Sequence, residues 1–520
     1  MQVAPQTPSI VALDRQSSWR LLSSAETRQV EHAAHLHEAE DALMERAGSS
    51  VARLALALWP HARTVHVLAG PGGNGGDGLY AASVLQQQGR SVQVHLCAPT
   101  AIRSQAVTRA LAVAQASGVR IEFGSPFISA DLVIDALLGI GGSRAPRGEV
   151  AEAVAAAGRQ AAPILSVDLP SGLDPDLGIC AGHSFIQATH TLSLLTLKRG
   201  LFTGIGKQAA GRVWLDTLGS QDLWTTALSS PSEGSGSPTY LCGQSLALQA
   251  LTPRLQHSHK GSFGDVLVLG GAPGMTGAAH LAAQACLAAG PGRTFLWLLD
   301  PAAPTGNSLR PECLGIPSGW RGGSGLLKEK TVVCGCGAGS QVQAAMPEVL
   351  SLAERLVLDA DGLNAVAADP SLQTLLSLRH ERGLPTVLTP HPLEAARLLG
   401  STTQDVQNDR WSAAARLARQ FNCTVVLKGG GTLITDDHVT WVNPTGGPAL
   451  ATGGTGDVLA GWLAGLWGQM PPSTSELAQA TQVAAAAVWW HGQAADLLGA
   501  WPIRGLDLVE SLRRATCSAA

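Results

Sequence analysis

The chain has 520 residues, of which 45% are hydrophobic and only 14% charged, with 60 glycines and a formal net charge of -4. That length exceeds one ordinary core and predicts two to four domains, while the apolar, glycine-rich profile suits packed α/β layers and excludes disorder or a coiled coil. The small negative charge gives no electrostatic footing for nucleic acid or an anionic membrane, and no apolar run reaches the roughly 18 residues a membrane helix needs.

In chain order, residues 1–19 begin MQVAPQTPSIVALDRQ, with no basic stretch leading into an apolar core. They read as a short disordered lead, and a secretory signal is not expected. Thr64–Ala69 (TVHVLA) predicts a strand, followed by a glycine loop, a helix over about 79–88 closed by Gly89, and a strand over 92–97. Strand-like runs at 132–137 and 163–168 carry Asp135 and Asp168. Strands alternating with helices predict a parallel sheet covered on both faces, with ligands beyond the carboxyl ends of the strands.

Residues 229–238 (SSPSEGSGSP) have the composition of a flexible linker. They separate a domain over 20–228 from one over 239–517. The second half repeats the grammar, with strands expected at 265–269, Thr331–Cys334, 356–359, 386–389 and Thr424–Leu427. A hairpin over 433–442 should turn at Asp436-Asp437, and helices should cover about 457–467 and 481–498. The fold class that results is α/β, two three-layer αβα domains.

Nine cysteines are scattered without a CxxC pair. Reduced buried thiols in a reducing, cytoplasmic compartment are expected. Cys334 and Cys336 form the one close pair.

The chemistry-bearing segments lie at predicted strand ends. Gly70-Pro71-Gly72-Gly73-Asn74-Gly75-Gly76-Asp77-Gly78 joins a strand to a helix. Its glycines let the backbone approach a pyrophosphate or ribose phosphate closely. Asp135 opens DALLGIGGSRAPRG, and Asp168 opens DLPSGLDPDLG around Ser171. One such Asp is ordinarily a helix cap, but three polar clusters along one sheet edge suggest a shared pocket with acid–base chemistry and an alkali cation.

In the second half, Thr389-Pro390-His391-Pro392-Leu393-Glu394 is a proline-stiffened turn that aims the imidazole of His391. Lys428-Gly429-Gly430-Gly431-Thr432 sets a cation beside free amides, a cradle for nucleotide phosphates. Gly453-Gly454-Thr455-Gly456-Asp457 then opens an apolar helix. Amides at a helix start favour anions, and a carboxylate placed there suits proton abstraction from a hydroxyl attacking a phosphoryl group.

The second half resembles the ribokinase-like ADP/ATP-dependent NAD(P)H-hydrate dehydratases, through KGSFGDVLVLGG, GMTGA, GCGAG, LDADGLN, TPHPLE, LKGGGT and NPTGGPALATGGTGDVLAG. The first half resembles the Rossmann-like NAD(P)H-hydrate epimerases, through GPGGNGGDG, DALLGIG and DLPSGLD. Their fused order is that of bifunctional bacterial repair enzymes, and the resemblance spans about residues 20 to 515. It implies that Gly73, Asn74, Gly75, Gly76, Asp77, Gly139, Ile140, Gly141, Gly142, Ser143, Arg144, Ala145 and Asp168 bind the hydrated nucleotide. It also implies that Asn74, Asp135 and Ser171 ligate K+. In the dehydratase half it assigns Ala278, Gly337, His391 and Asp457 to the hydrate, and Lys428, Gly429, Gly430, Gly431, Thr432 and Gly456 to the adenine nucleotide. Two positions depart from the family pattern: Gly73 replaces the first of two asparagines, and Cys336 replaces a proline.

On this reading Asp168 shuttles a proton during epimerisation, and Asp457 deprotonates the hydrate hydroxyl for phosphorylation and loss. Mg2+ accompanies ADP or ATP, with ADP suggested by bacterial relatives. The partners are then hydrated NADH or NADPH and a nucleotide, with no nucleic acid or membrane, in a homo-oligomer. Two other readings stand beside it: a ribokinase-like vitamin-precursor kinase fused to a nucleotide-binding domain, and a nucleotide sensor or scaffold with degenerate sites.

Overall fold

The computed structural model describes residues 10–36, 40–124, 129–142, 145–180, 182, 184–228, 237–303, 311–316 and 324–518. The chain divides into two compact units, one of residues 1–14 and 20–236, the other of residues 15–19 and 237–520.

The first unit is built on β1 (Ile10–Ala12), β2 (Thr64–Ala69), β3 (Ser91–Leu96), β4 (Arg120–Glu122), β5 (Leu132–Ala136), β6 (Ile164–Val167), β7 (His190–Leu194) and β8 (Arg212–Asp216). Their order in the sheet is β1-β8-β7-β6-β5-β2-β3-β4. Neighbours are parallel except β1 and β8, which are antiparallel with Ile10 opposite Asp216. Strands such as β5 and β6 are buried throughout, as a parallel sheet covered on both faces requires.

The expectation of a disordered lead is corrected here. Residues 1–9 lie outside the described residues, but Ile10–Ala12 completes the sheet edge and residues 15–19 belong to the second unit. An edge strand exposes unpaired amides and carbonyls, and the apolar run Ile10-Val11-Ala12 satisfies them at β8. Arg15 Nη1 meets Asp496 Oδ2 at 2.6 Å and Gln493 Oε1 at 3.1 Å. Residues 229–236 of the expected linker also lie outside the described residues.

The second unit carries β9 (Thr239–Leu241), β10 (Asp265–Gly270), β11 (Arg293–Leu298), β12 (Cys313–Ile316), β13 (Thr331–Cys334), β14 (Arg355–Leu358), β15 (Thr386–Leu388), β16 (Thr424–Leu427), β17 (Leu433–Thr435) and β18 (Thr440–Val442). They run β12-β11-β10-β13-β14-β15-β16-β17-β18-β9, parallel up to β16. The hairpin β17–β18 follows, with β17 antiparallel to β16, and its turn includes Asp436 and Asp437 as expected.

Two glycine devices position the sites. In the first unit α1 (Gly73–Gln87) starts six residues before the expected 79, inside the glycine loop itself. A Cβ on Gly75 would lie 1.8 Å from the Gly70 carbonyl oxygen, and one on Gly78 2.5 Å from the Ala136 Cβ. The helix therefore seats directly on the end of the sheet. In the second unit α2 (Thr276–Ala289) packs against α3 (Thr455–Trp467) in the same manner. Cβ atoms on Gly461 and Gly465 would meet the Ala282 carbonyl oxygen at 1.9 Å and the Ala289 Cβ at 2.6 Å. Helix α3 is apolar nearly all round and sits in the core with Trp462 and Trp467 fully buried. Burial of large apolar side chains, at roughly 1.5–3 kcal/mol each, holds its N-terminus in place.

Candidate active sites

In the first unit three segments meet at the carboxyl ends of β2, β5 and β6. Gly70 N donates to Ala136 O at 3.0 Å, Asn74 Nδ2 to Leu138 O at 3.0 Å, and Leu138 N to Ser171 Oγ at 2.9 Å. The cleft between them, of about 450 Å3, is lined by Gly73, Asn74, Asp77, Gly139, Ile140, Gly141, Gly142 and Asp168, with Glu31, His35 and Lys198 added. That volume suits a small-molecule ligand.

Asp168 closes the cleft in a left-handed backbone conformation, φ 67°. Its Oδ1 accepts from Leu194 N at 3.1 Å and pairs with the Lys198 ammonium. Lys198 is 1% exposed and also donates to Leu194 O at 2.6 Å and Thr196 O at 3.2 Å. Sequence reading missed this lysine, because LTLKRG carries no motif and the pair forms across 30 residues. The Asp77 carboxyl is pushed well above its usual range by burial, then by the charges of Asp168 and Glu31, with Lys198 opposing. One carboxylate therefore has a dedicated cation and the other favours its protonated form, a pairing suited to proton transfer.

Asp135 lies within β5, fully buried beneath the cleft. It accepts from Ser166 Oγ at 2.8 Å, Ser171 N at 2.9 Å and Ser171 Oγ at 2.6 Å. Burial raises its pKa, and only hydrogen bonds oppose the shift. Nearby, Asn74 Oδ1 is buried with no hydrogen-bond partner. An orphaned carbonyl oxygen near a buried carboxylate is a donor set that fits an alkali cation.

The other expected ligand residues fall elsewhere. Gly75 and Gly76 are buried, and the space a side chain would take belongs to the Gly70 carbonyl and the Met44 sulfur. Ala145 is not among the residues lining the cleft, and Ser143 and Arg144 lie outside the described residues. A Cβ on Gly73 would meet nothing within 4 Å, so the asparagine that the family pattern expects there is sterically admissible.

In the second unit α3 is capped by Gly454 at φ 93°, and its first internal amide bond is Val458 N to Gly454 O at 3.0 Å. The amides of Thr455, Gly456 and Asp457 thus have no intrahelical partner, which makes an anion site. His491 Nε2 lies 2.9 Å from Thr455 O. Burial lowers its pKa to about 4, so the ring is neutral and donates through Nε2.

Lys428 gathers the remaining groups. Its Nζ lies 2.8 Å from Asp359 Oδ1 and 4.0 Å from Glu394 Oε2, and a Cβ on Gly456 would sit 3.5 Å from it. Burial disfavours its charge, yet Asp359 and Glu394 outweigh that and raise its pKa. Arg410, 2% exposed, props the following loop by donating to Lys428 O and Leu427 O. Gly429, at φ 140°, leaves room for its guanidinium.

One oxygen each of Asp359 and Asp457, with Cys336 Sγ, lie within 4.8 Å of one another. Burial, then the Asp359 charge, raises the Asp457 pKa to about 6, with Cys336 and Lys428 opposing. Gly337, at φ 56°, abuts Ala278, whose Cβ would be 2.8 Å from a Cβ added to it.

His391 is a helix cap. Its Nδ1 accepts from Leu393 N at 3.1 Å and Glu394 N at 3.3 Å, Glu394 Oε2 accepts from His391 N at 2.8 Å, and Nε2 lies 3.2 Å from Glu394 Oε1. This capping box was legible in His391-Pro392-Leu393-Glu394, an acceptor followed three residues later by Glu. The geometry thus connects Ala278, Gly337, His391, Lys428, Gly456 and Asp457. It adds Asp359, Glu394, Cys336 and Arg410, which sequence reasoning had not placed in the site. Seven cysteines, Cys336 among them, are buried free thiols, Cys180 is half-buried and Cys517 is exposed. Among the described residues no helix is long and apolar enough to cross a membrane.

Residues 40–200 match the YjeF-related protein N-terminus family, and residues 266–514 match the NAD(P)H-hydrate dehydratase family. A bifunctional NAD(P)H-hydrate repair enzyme Nnr from Coxiella burnetii is 34% identical over 87% of this chain and 89% of its own. The Escherichia coli enzyme of the same name is 34% identical over 91% and 88%. A solved ADP/ATP-dependent NAD(P)H-hydrate dehydratase from Bacillus subtilis aligns with 53% of this chain and 97% of its own at 30% identity, TM-score 0.45. This chain therefore belongs to the bifunctional NAD(P)H-hydrate repair enzymes, with an epimerase half followed by a dehydratase half.

Proposed function

We propose that the half over 20–228 interconverts the R and S forms of hydrated NADH and NADPH, and that the half over 239–517 returns the S form to the reduced cofactor using ADP. In a nicotinamide hydrate the hydroxyl sits on carbon next to the ring nitrogen, whose lone pair makes that centre labile. Epimerisation then needs positioning and a proton shuttle, and Asp168, held beside Lys198 in the cleft, is that shuttle. Asn74, Asp135 and Ser171 would hold K+, which when bound would supply positive charge close to the nucleotide's phosphates. Gly73, Asn74 and the 139–142 loop bind the hydrate along the cleft.

Dehydration is harder because hydroxide leaves poorly. Asp457 takes the hydroxyl proton and the hydroxyl oxygen attacks the terminal phosphorus of the nucleotide, displacing AMP from ADP. The phosphate ester then leaves as inorganic phosphate, expelled by the ring nitrogen's lone pair, and the adjacent ring carbon of the resulting iminium gives up a proton to the departing phosphate, which restores the dihydropyridine. The free amides at the α3 start and the Lys428 ammonium stabilise the charge on the transferred group. Mg2+ enters as part of the nucleotide co-substrate. The observation that carries the reading is the placement of Asp457 in the first turn of α3, with its carboxylate within 4.8 Å of Asp359, the partner of Lys428. We assign the protein to the cytoplasm and to a homo-oligomer.

The test is to incubate the full chain with mixed hydrate epimers and ADP or ATP, and to follow the absorbance of the reduced cofactor. Complete recovery from both epimers, with inorganic phosphate released, supports both halves. A stable phosphoester product would favour the vitamin-precursor kinase reading, and nucleotide binding without turnover would favour a sensor.

The pH profile supplies a second check. A base must be ionised, so dehydratase kcat/KM should be flat above neutrality and fall tenfold per pH unit below about 6. An acid limb near 4 would show that the Asp457 carboxyl is not raised in the working enzyme, and the absence of any acid limb would remove Asp457 from this role.

A further inference from the structure

Cys336 sits at the turn that follows β13, fully buried, and its backbone is fixed from both sides. Gly335 at φ 121° and Gly337 at φ 56° set the turn, and Gly271 N donates to Cys336 O at 3.0 Å. The position from which the thiol extends is therefore set by the fold. Its sulfur lies within 4.8 Å of carboxylate oxygens of both Asp359 and Asp457. Asp359 is already engaged by Lys428 at 2.8 Å and Thr389 Oγ1 at 2.8 Å. Asp457 lies in the first turn of α3, so the thiol reaches it across the opening between the β13 turn and the helix start.

We propose that Cys336 is a positioning residue for dehydration, its S–H holding the Asp457 carboxylate in the orientation from which it takes the hydrate's hydroxyl proton. The inference rests on the assignment of Asp457 as the base. A thiol is a weak donor, so it can orient the carboxylate while leaving it basic, which a stronger donor would not do. A misoriented base lowers the rate of the chemical step without weakening substrate binding.

The experiment compares the full chain with Cys336→Ala and Cys336→Ser in the ADP-dependent reaction on the S hydrate, with kcat and both KM values measured. Thermal unfolding is measured alongside to compare folding. The expected result is a fall in kcat of about tenfold for Cys336→Ala, with both KM values within about twofold of the unsubstituted chain. Cys336→Ser, which keeps a donor, should stay within about threefold. An unchanged kcat in Cys336→Ala overturns the proposal. So does an equal loss in both variants, or a loss carried by KM, because those mark packing of the turn. Asp457→Asn, run in parallel, separates the two assignments: if it retains dehydration, the base assignment itself has failed, whatever the cysteine variants do.

Discussion

Asp457→Asn is expected to lower nucleotide-dependent dehydration by roughly a thousandfold, leaving epimerisation intact. The amide keeps the shape of the carboxyl but cannot accept the hydroxyl proton, so nucleotide binding at Lys428 and the α3 amides should survive. The same substitution should stabilise the second unit at pH 8. The folded carboxyl titrates at about 6 instead of 3.8, so the protonated form is favoured by the fold. Its contribution to stability is fully present below 3.8 and is lost as pH rises through about 6. Asparagine never ionises, so the variant escapes up to roughly 3 kcal/mol of that loss at pH 8, a gain that vanishes near pH 4. Unfolding midpoints at the two pH values, with the hydrate assay, measure both effects. Retained dehydration, or a variant less stable at pH 8, would sink the assignment.

Lys198→Met should have the largest effect on the other half. It leaves the Asp168 carboxylate, 9% exposed, without its cation, and breaking a buried pair from one side costs roughly 3–5 kcal/mol. Epimerisation should fall by about a hundredfold or more, since the unpaired carboxylate will either protonate or move. Asp168→Asn should be as inactive but less destabilising, because Lys198 keeps the Leu194 and Thr196 carbonyls. Equilibration of separated R and S hydrates and unfolding of the first unit provide the readouts. If Lys198→Met epimerises normally, Lys198 has no role in holding Asp168.

Segments that combine an apolar run with a terminal glycine or aspartate were legible in the sequence, and β2, β5, β13 and β16 fall where they were expected. Strands with polar or aromatic interruptions were not, among them β7 (HTLSL), β8 (RVWLD) and β11 (RTFLWL). They are held by partners distant in sequence, as where Trp214 Nε1 of β8 donates to His190 Nδ1 of the neighbouring β7. The early start of α1 was hidden because a glycine run has poor helix propensity, and only its packing against Gly70 and Ala136 explains it. In the sites, motifs located Asp168, Asp457, Lys428 and His391. Lys198 and Asp359 acquire their partners across 30 and 69 residues, a proximity that no local pattern encodes.

The left-handed backbone at Asp168 bears on how its role can be read by mutation. Asparagine and glycine enter that conformation readily, while alanine is strained there and β-branched residues more so. The main chain thus admits a narrow alphabet at this position before any chemistry is selected. An alanine scan would merge conformational damage with loss of a proton carrier, so asparagine is the substitution whose phenotype reports the carboxylate alone.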